Sequence, residues 1–307
     1  SNFVEEEWDV VKTPLKPQKQ AKQIPPKAYE KPKFSGEKAK IAIVIDDVGM
    51  NLPESHKAID LPPEVTLAFL PYAKNVRELS DVARQKGHEM IIHAPMEAIS
   101  NKVDLGSIAL RSGMDYATFD KEFKKMADSF NGFVGINNHM GSKLTQDPEA
   151  MGFLMDELKR RGLYFLDSKT IATSIAAQTA KTYGIPFAER DVFLDHVETP
   201  EFTAGALEKL ERIAKEQGSA IAIGHPKEIT MQALQAWIPT LEEKGIELVT
   251  VSSLLDHPEE NKKIVENHHQ TEQPVILNDV APATGAPTNL IFSPPQPDYL
   301  IEDKITE

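Results

Sequence analysis

The sequence predicts an α/β fold: a parallel sheet closed or partly closed into a (β/α) barrel of about seven or eight strands, flanked by disordered tails. Three features predict it. Short apolar runs rich in β-branched residues alternate with segments of helical periodicity between residues 39 and 255, the pattern of strand–helix units joined by right-handed crossovers. The runs are apolar on both faces, as buried parallel strands are. Glycines stand near the ends of the helical stretches, at 87, 132, 162, 184, 218 and 245, where a left-handed cap favours glycine. An open doubly wound sheet is the alternative topology.

In chain order, the first strand is the run 40–45 (KIAIVI), and the second is 65–70 (VTLAFL), stopped by Pro71. Further strands fall at 89–92, 133–136, 163–166, 186–188, 220–223 and 247–251. Helical patterns, with apolar residues at three- and four-residue spacings, occupy 75–86, 115–129, 148–161, 203–217 and 229–243. The core spans about 215 residues, slightly short for a standard eightfold barrel. No glycine-rich phosphate loop follows any strand, which argues against nucleotide binding.

Proline marks the boundaries: of 22 prolines, 12 lie outside residues 40–255. Residues 1–38 read as a disordered Lys/Pro-rich linker and 256–307 as a disordered low-complexity tail. The formal charge of −13 disfavours non-specific binding to nucleic acid or to an anionic membrane. The chain has no cysteine, which excludes disulfides, thiolate metal sites and cysteine nucleophiles. No apolar run reaches the ~18 residues of a transmembrane helix, and the acidic stretch 1–10 has no apolar signal core.

In parallel α/β folds the reacting groups gather past the C-terminal ends of the strands. Six of the expected strands deliver polar groups there: Asp46-Asp47, His93, Asn137-Asn138-His139, Asp167-Ser168-Lys169, Glu189-Arg190-Asp191 and Gly224-His225. Two adjacent carboxylates repel unless a cation neutralises them. Neutral imidazole is the commonest metal ligand, and two histidines with one aspartate match an open catalytic zinc site. A histidine after an apolar strand can equally be a hydrogen-bonded core residue, and Asp167 can equally cap the turn that follows it.

These residues also carry a resemblance. IDDVG at 45–49, GHE at 87–89 followed by His93, and AIGHP at 222–226 resemble the motifs of polysaccharide deacetylases. With HAPME at 93–97 and NNHMGS at 137–142, the set is closer still to the divergent polysaccharide deacetylase family of bacteria, over residues 39–255. The resemblance implies a distorted (β/α) barrel, Asp46 as catalytic base, Asp47 and His93 as metal ligands, and His225 as catalytic acid. Where the wider family has a second histidine four residues after the first, this chain has Glu97. Either Glu97 ligates, or His139 supplies the missing imidazole; the second is favoured, because imidazole better preserves a zinc site. Glu97, Asn138, Asp167 and Arg190 are then expected to bind substrate or to support the ligands.

The implied activity is metal-dependent removal of N-acetyl or O-acetyl groups from a polysaccharide or cell-wall glycan, with zinc as the expected cation. The alternatives are a catalytically impaired barrel that binds envelope glycan or a protein partner, and a metal hydrolase acting on another ester or amide. A periplasmic or envelope-facing location is expected from the glycan substrate. The loop 98–111 is expected to be a substrate-facing lid.

Overall fold

The structure, a computed structural model, describes residues 38–258. The linker and tail expected from the sequence lie outside these residues, except for Lys38 and 256–258. Nine strands run β1 Ala39–Val48, β2 Thr66–Phe69, β3 Met90–Met96, β4 Gly135–Met140, β5 Tyr164–Asp167, β6 Phe187–Glu189, β7 Val192–Phe193, β8 Ser219–Gly224 and β9 Ile246–Leu248. The helices are α1 Leu52–Ile59, α2 Val76–Gln85, α3 Tyr116–Ala127, α4 Pro148–Arg161, α5 Ala176–Tyr183, α6 Pro200–Gln217 and α7 Glu228–Trp237.

All strand pairs are parallel, in the order β6-β5-β4-β3-β2-β1-β8-β7, with β9 beside the start of β1. The two edge strands, β6 and β7, are consecutive in the chain and separated only by Arg190-Asp191. The Arg190 N–H donates to the Asp167 carbonyl of β5 at 3.0 Å, and the Asp191 N–H donates to the Ile221 carbonyl of β8 at 2.9 Å. Neighbouring residues thus bond to opposite ends of the sheet. The edges meet in one kinked stretch, giving a distorted barrel and not an open doubly wound sheet.

Side-chain alternation along each strand divides the apolar residues into two sets. Ile41, Ile43 and Ile45 of β1 face the helices in the larger core, while Ala42 and Val44 face the barrel lumen. Ile91, Tyr164, Leu166, Ala188, Ile221 and Ile223 complete the lower lumen with Ala68 and Val251. A polar knot fastens its floor: Glu89 Oε1 accepts from Thr66 Oγ1 (3.2 Å), Tyr164 Oη (2.9 Å) and the Ser252 N–H (3.1 Å). Burial, reinforced by Glu89, pushes the Tyr164 phenol well above its ordinary range, so it remains a donor.

Several elements differ from the sequence reading. β1, β3 and β4 run beyond their apolar runs, because the β3–β4 ladder continues through His93↔Asn137, Ala94↔Asn138 and Pro95↔His139. The residues expected on a loop rim therefore stand inside strands. Helix α1 was not expected; it starts where Asn51 Oδ1 accepts the Glu54 N–H, with a proline in the first turn. Helix α5 was likewise not expected. The helix expected over 229–243 ends at Trp237 and tightens into a 3₁₀ turn, Ile238–Thr240, at Pro239.

Gly135 of β4 lies against the Tyr164 ring, where a Cβ would stand 2.7 Å from three ring atoms. The Glu89 bond holds that ring, so Gly135→Ala should destabilise the fold by about 1–3 kcal/mol, the usual range for overpacking. Gly205, inside α6, has nothing within 4 Å of its Cβ position, and Gly205→Ala should add about 1 kcal/mol from helix propensity. Urea denaturation of the two variants checks both signs.

Candidate metal centre

The alternation that fills the lower lumen with apolar groups fills the upper lumen with ionisable ones. Asp46 is two and four residues beyond Val44 and Ala42, on the same face of β1. His93 follows Ile91 on β3 by two, and His225 follows Ile223 by two at the end of β8. On β4, Ile136 faces the helices, so Asn137 and His139 face inward and Asn138 outward. Asp47 breaks the rule through a left-handed backbone, φ 55°, which also turns it toward the histidines. Met140 (φ 56°) and Lys169 (φ 51°) are left-handed too. Such strain in non-glycine residues collects at functional sites.

Three ligand atoms converge. Asp47 Oδ1 lies 3.3 Å from His93 Nε2 and 3.3 Å from His139 Nδ1, and the two nitrogens are 2.9 Å apart. Four ligands set tetrahedrally at 2.0–2.1 Å from a zinc ion are separated by about 3.3–3.4 Å, close to this triangle. Asp47 Oδ1 is buried and engages no hydrogen bond, an orphaned anionic oxygen of the kind a cation satisfies. The set therefore fits a small divalent cation.

Asn137 fixes the chemistry of His93. Its Nδ2 donates to Asp46 Oδ1 at 2.8 Å and to Ser168 Oγ at 3.1 Å. Its Oδ1 then faces His93 Nδ1 at 2.8 Å and can only accept. The Nδ1 must carry a proton, and the ring in its neutral form presents Nε2 as a bare lone pair toward Asp47 and His139.

Two flanking groups complete the site. Asp46 is buried, with Oδ2 free of hydrogen bonds among the described residues. Burial raises its pKa above the ordinary carboxylate value, against the pull of His93, His225 and Asn137. Burial acts upward on Asp47 as well, but the neighbouring His139 and His93 rings outweigh it and hold Asp47 well below that value. His225 receives a 3.0 Å contact from Asp195 Oδ1 at Nδ1 and turns Nε2 toward Asp47 Oδ2 at 3.7 Å. Burial would lower the His225 pKa, but Asp195 outweighs it and lifts the imidazole to about 9. Asp195 Oδ2 also accepts from the His225 N–H (2.6 Å) and Thr230 Oγ1 (2.7 Å), which locks the pair.

The supporting residues expected from the sequence are distributed differently. Glu97 does not join the cluster: it holds Lys143 Nζ at 2.9 Å and the Ser112 N–H at 2.9 Å. Asn138, on the outward face, accepts the Ser168 N–H and donates to the Met140 carbonyl, both at 2.8 Å. Asp167 shares the helix-facing parity of Phe165; it accepts from the Lys169 N–H (2.8 Å) and Ser174 Oγ (2.7 Å), fastening the turn after β5. Arg190 faces inward, donates to the Ser168 and Lys169 carbonyls, and interacts with the Asp167 and Asp46 charges. The reading missed Asn137 and Asp195 as supporting groups. Position parity with His139 could have found Asn137; nothing in the sequence marks Asp195, which lies beyond the two-residue strand β7.

A distorted parallel barrel carrying an acidic pair and three imidazoles in its upper lumen is a deacetylase-type fold. The sequence matches the divergent polysaccharide deacetylase family over residues 43–255, and the chain belongs to that family. A Haemophilus influenzae protein described as uncharacterized is 37% identical over 222 residues, 72% of this chain and 78% of its own length. The uncharacterized protein YibQ of Escherichia coli is 36% identical over 220 residues, 72% and 68% of the two chains. The crystal structure of an uncharacterized Agrobacterium tumefaciens protein superposes with a TM-score of 0.69 at 30% identity, covering 73% of this chain and 92% of that one.

Two measurements follow from the geometry. Asn137→Ala should weaken zinc binding by about 10–100-fold in calorimetric titration, the usual cost of losing a group that orients a ligand. In the metal-free protein, His225 should titrate near 9 by NMR and fall toward its ordinary value in Asp195→Asn. Because its pKa is raised on folding, its stabilisation is full below pH 6.5 and fades as pH rises through about 9. The loss should reach roughly 3 kcal/mol in wild type and be smaller in the variant.

Proposed function

We propose that this chain is a metal-dependent hydrolase that removes acetyl groups from the amino or hydroxyl positions of a cell-envelope glycan, with zinc as the cation. The observation that carries the reading is the triangle of Asp47 Oδ1, His93 Nε2 and His139 Nδ1, flanked by a buried carboxylate and an Asp-held imidazole. Membership of the divergent polysaccharide deacetylase family supports a glycan as the substrate. Polymeric envelope glycans lie outside the cytoplasmic membrane, so a periplasmic or envelope-facing location belongs to the same proposal. No helix among the described residues is long and apolar enough to cross a membrane.

Asp47, His93 and His139 would hold the ion, which when bound supplies Lewis-acid polarisation of the acyl carbonyl and an acidified water. Asp46 Oδ2 takes the proton of the water that attacks the carbonyl carbon. Its raised pKa makes it a better base than an exposed carboxylate. His225, as imidazolium, gives its Nε2 proton to the departing amine or alkoxide while the carbon–nitrogen or carbon–oxygen bond breaks. Asp195 keeps that ring protonated and aimed; Asn137 holds both Asp46 and His93. Arg190 supplies a compensating positive charge beside Asp46.

Single variants separate the roles. His93→Ala and His139→Ala should each lower zinc content by elemental analysis, whereas Glu97→Ala should not. Asp46→Asn and His225→Ala should retain zinc and lose ~10²–10⁴-fold in hydrolysis of an N-acetylated glucosamine oligomer. A wild-type protein that binds neither zinc nor another divalent cation would replace this reading with the impaired barrel that binds glycan or a protein partner.

A further inference from the structure

Strand β2 gave no candidate in the sequence, since it ends in Leu70-Pro71. In the structure the chain turns there, with the Ala73 N–H donating to the Leu70 carbonyl at 3.1 Å, and presents Tyr72 half-buried on the rim. Its hydroxyl has no hydrogen-bond partner among the described residues. The ring itself is fixed. It lies against Gly106, where a Cβ would come within 2.6–2.9 Å of three ring atoms. Gly106 is left-handed, φ 78°, and Asp104 Oδ1 accepts its N–H at 2.9 Å, which holds the turn under the ring.

The loop that carries Gly106, expected from the sequence as a substrate-facing lid, is pinned at both ends. The Leu110 N–H donates to the Pro95 carbonyl and the Glu97 N–H to the Leu110 carbonyl, each at 2.9 Å. Glu97 accepts the Ser112 N–H, and the Ile99 N–H donates to Ser142 Oγ at 3.0 Å. Both ends of the loop are anchored to β3 and to the turn after β4. The turn that carries Tyr72 packs on the one that carries Asp47: the Leu70 N–H donates to the Val48 carbonyl at 3.1 Å, and a Cβ on Gly49 would stand 2.6 Å from the Ala73 Cβ. Burial, with the Asp47 and Asp104 charges, pushes the phenol up to about 12; it is a proton donor throughout the working pH range.

We propose that the Tyr72 hydroxyl donates a hydrogen bond to an oxygen of the substrate bound at the candidate metal centre, and that Gly106 sets the ring in place for it. This rests on the hydrolase reading above for the nature of the substrate. It gives an oxygen-rich substrate a contact from the loop after β2.

The test compares wild type, Tyr72→Phe and Gly106→Ala in zinc affinity, in hydrolysis of an N-acetylated glucosamine oligomer, and in calorimetric binding of the same oligomer to the zinc-free protein. Tyr72→Phe should weaken oligomer binding by about 3–10-fold, the scale of one neutral hydrogen bond, and lower kcat/KM by a similar factor. Zinc affinity and melting temperature should not change. Gly106→Ala, which displaces the ring, should weaken binding in the same direction. Unchanged oligomer binding and unchanged kcat/KM in Tyr72→Phe would overturn the proposal, as would loss of zinc. If wild type binds the oligomer without hydrolysing it, and Tyr72→Phe binds it less well, the hydrolase reading falls and the Tyr72 contact stands. If wild type neither binds nor hydrolyses it, both fall.

Discussion

One side-chain amide ties the site together. Asn137 touches the proposed base through Asp46 Oδ1, the proposed ligand His93 through Nδ1, and the end of β5 through Ser168. A carboxylate can only accept, so the amide nitrogen must face Asp46 and its oxygen must face His93. That orientation protonates Nδ1 of the ring and leaves Nε2 bare. The tautomer of a candidate metal ligand is thus dictated by the ionisation of the neighbouring acid. Through Asn137, Asp46 and the metal site are electrostatically linked, although Asp46 lies outside the ligand triangle.

The fold could be read from the sequence because buried parallel strands announce themselves as apolar runs. Their helices follow from periodicity and from the glycines that end them. The site was legible to the same depth. Asp46, Asp47, His93, His139 and His225 all lie within three residues of the end of an apolar run, and the structure brings them to one end of the lumen. Position parity explains which of these groups face the lumen and which do not. Asp46, His93, His139 and His225 share the face of the lumen residues that precede them. Asn138 and Asp167 sit one residue out of phase and face the other way. Asp47 violates parity and still converges, because a left-handed backbone turns it inward; no periodic pattern carries that information. Asp195 was invisible for a related reason. The barrel closes through a kink of two residues, and β7 is too short to give a phase from which an inward position could be counted.

The charge pattern has its own logic. Two carboxylates and three imidazoles are packed around a small volume, and no lysine is among them. Arg190, at the kink, supplies the fixed positive charge on the Asp46 side. Without a cation, Asp46 and Asp47 raise the His93 pKa against its own burial. A divalent ion among Asp47, His93 and His139 would neutralise the same carboxylate with a fixed charge. Asp195 serves a different end, since it holds a proton on His225 by a contact that the ligand triangle does not include.

The departure at Glu97 changes how the site is specified. In the arrangement that the wider family's second motif implies, both histidines come from one short segment, and local backbone geometry fixes their spacing. Here they come from neighbouring strands, His93 on β3 and His139 on β4, and their spacing depends on the register Pro95↔His139. A slip of one residue would carry Asn138 inward and His139 outward. The register is held above and below the site. Gly135 packed under Tyr164 fixes the lower end of β4. At the upper end, the Glu97 carbonyl accepts the Lys143 and Leu144 N–H groups, while its carboxylate holds Lys143 Nζ. Glu97 thus fastens the turn just beyond His139. Glu97 makes no contact with the candidate ligands, yet its contacts anchor the chain just beyond His139 and so help hold the β3–β4 register on which their spacing depends.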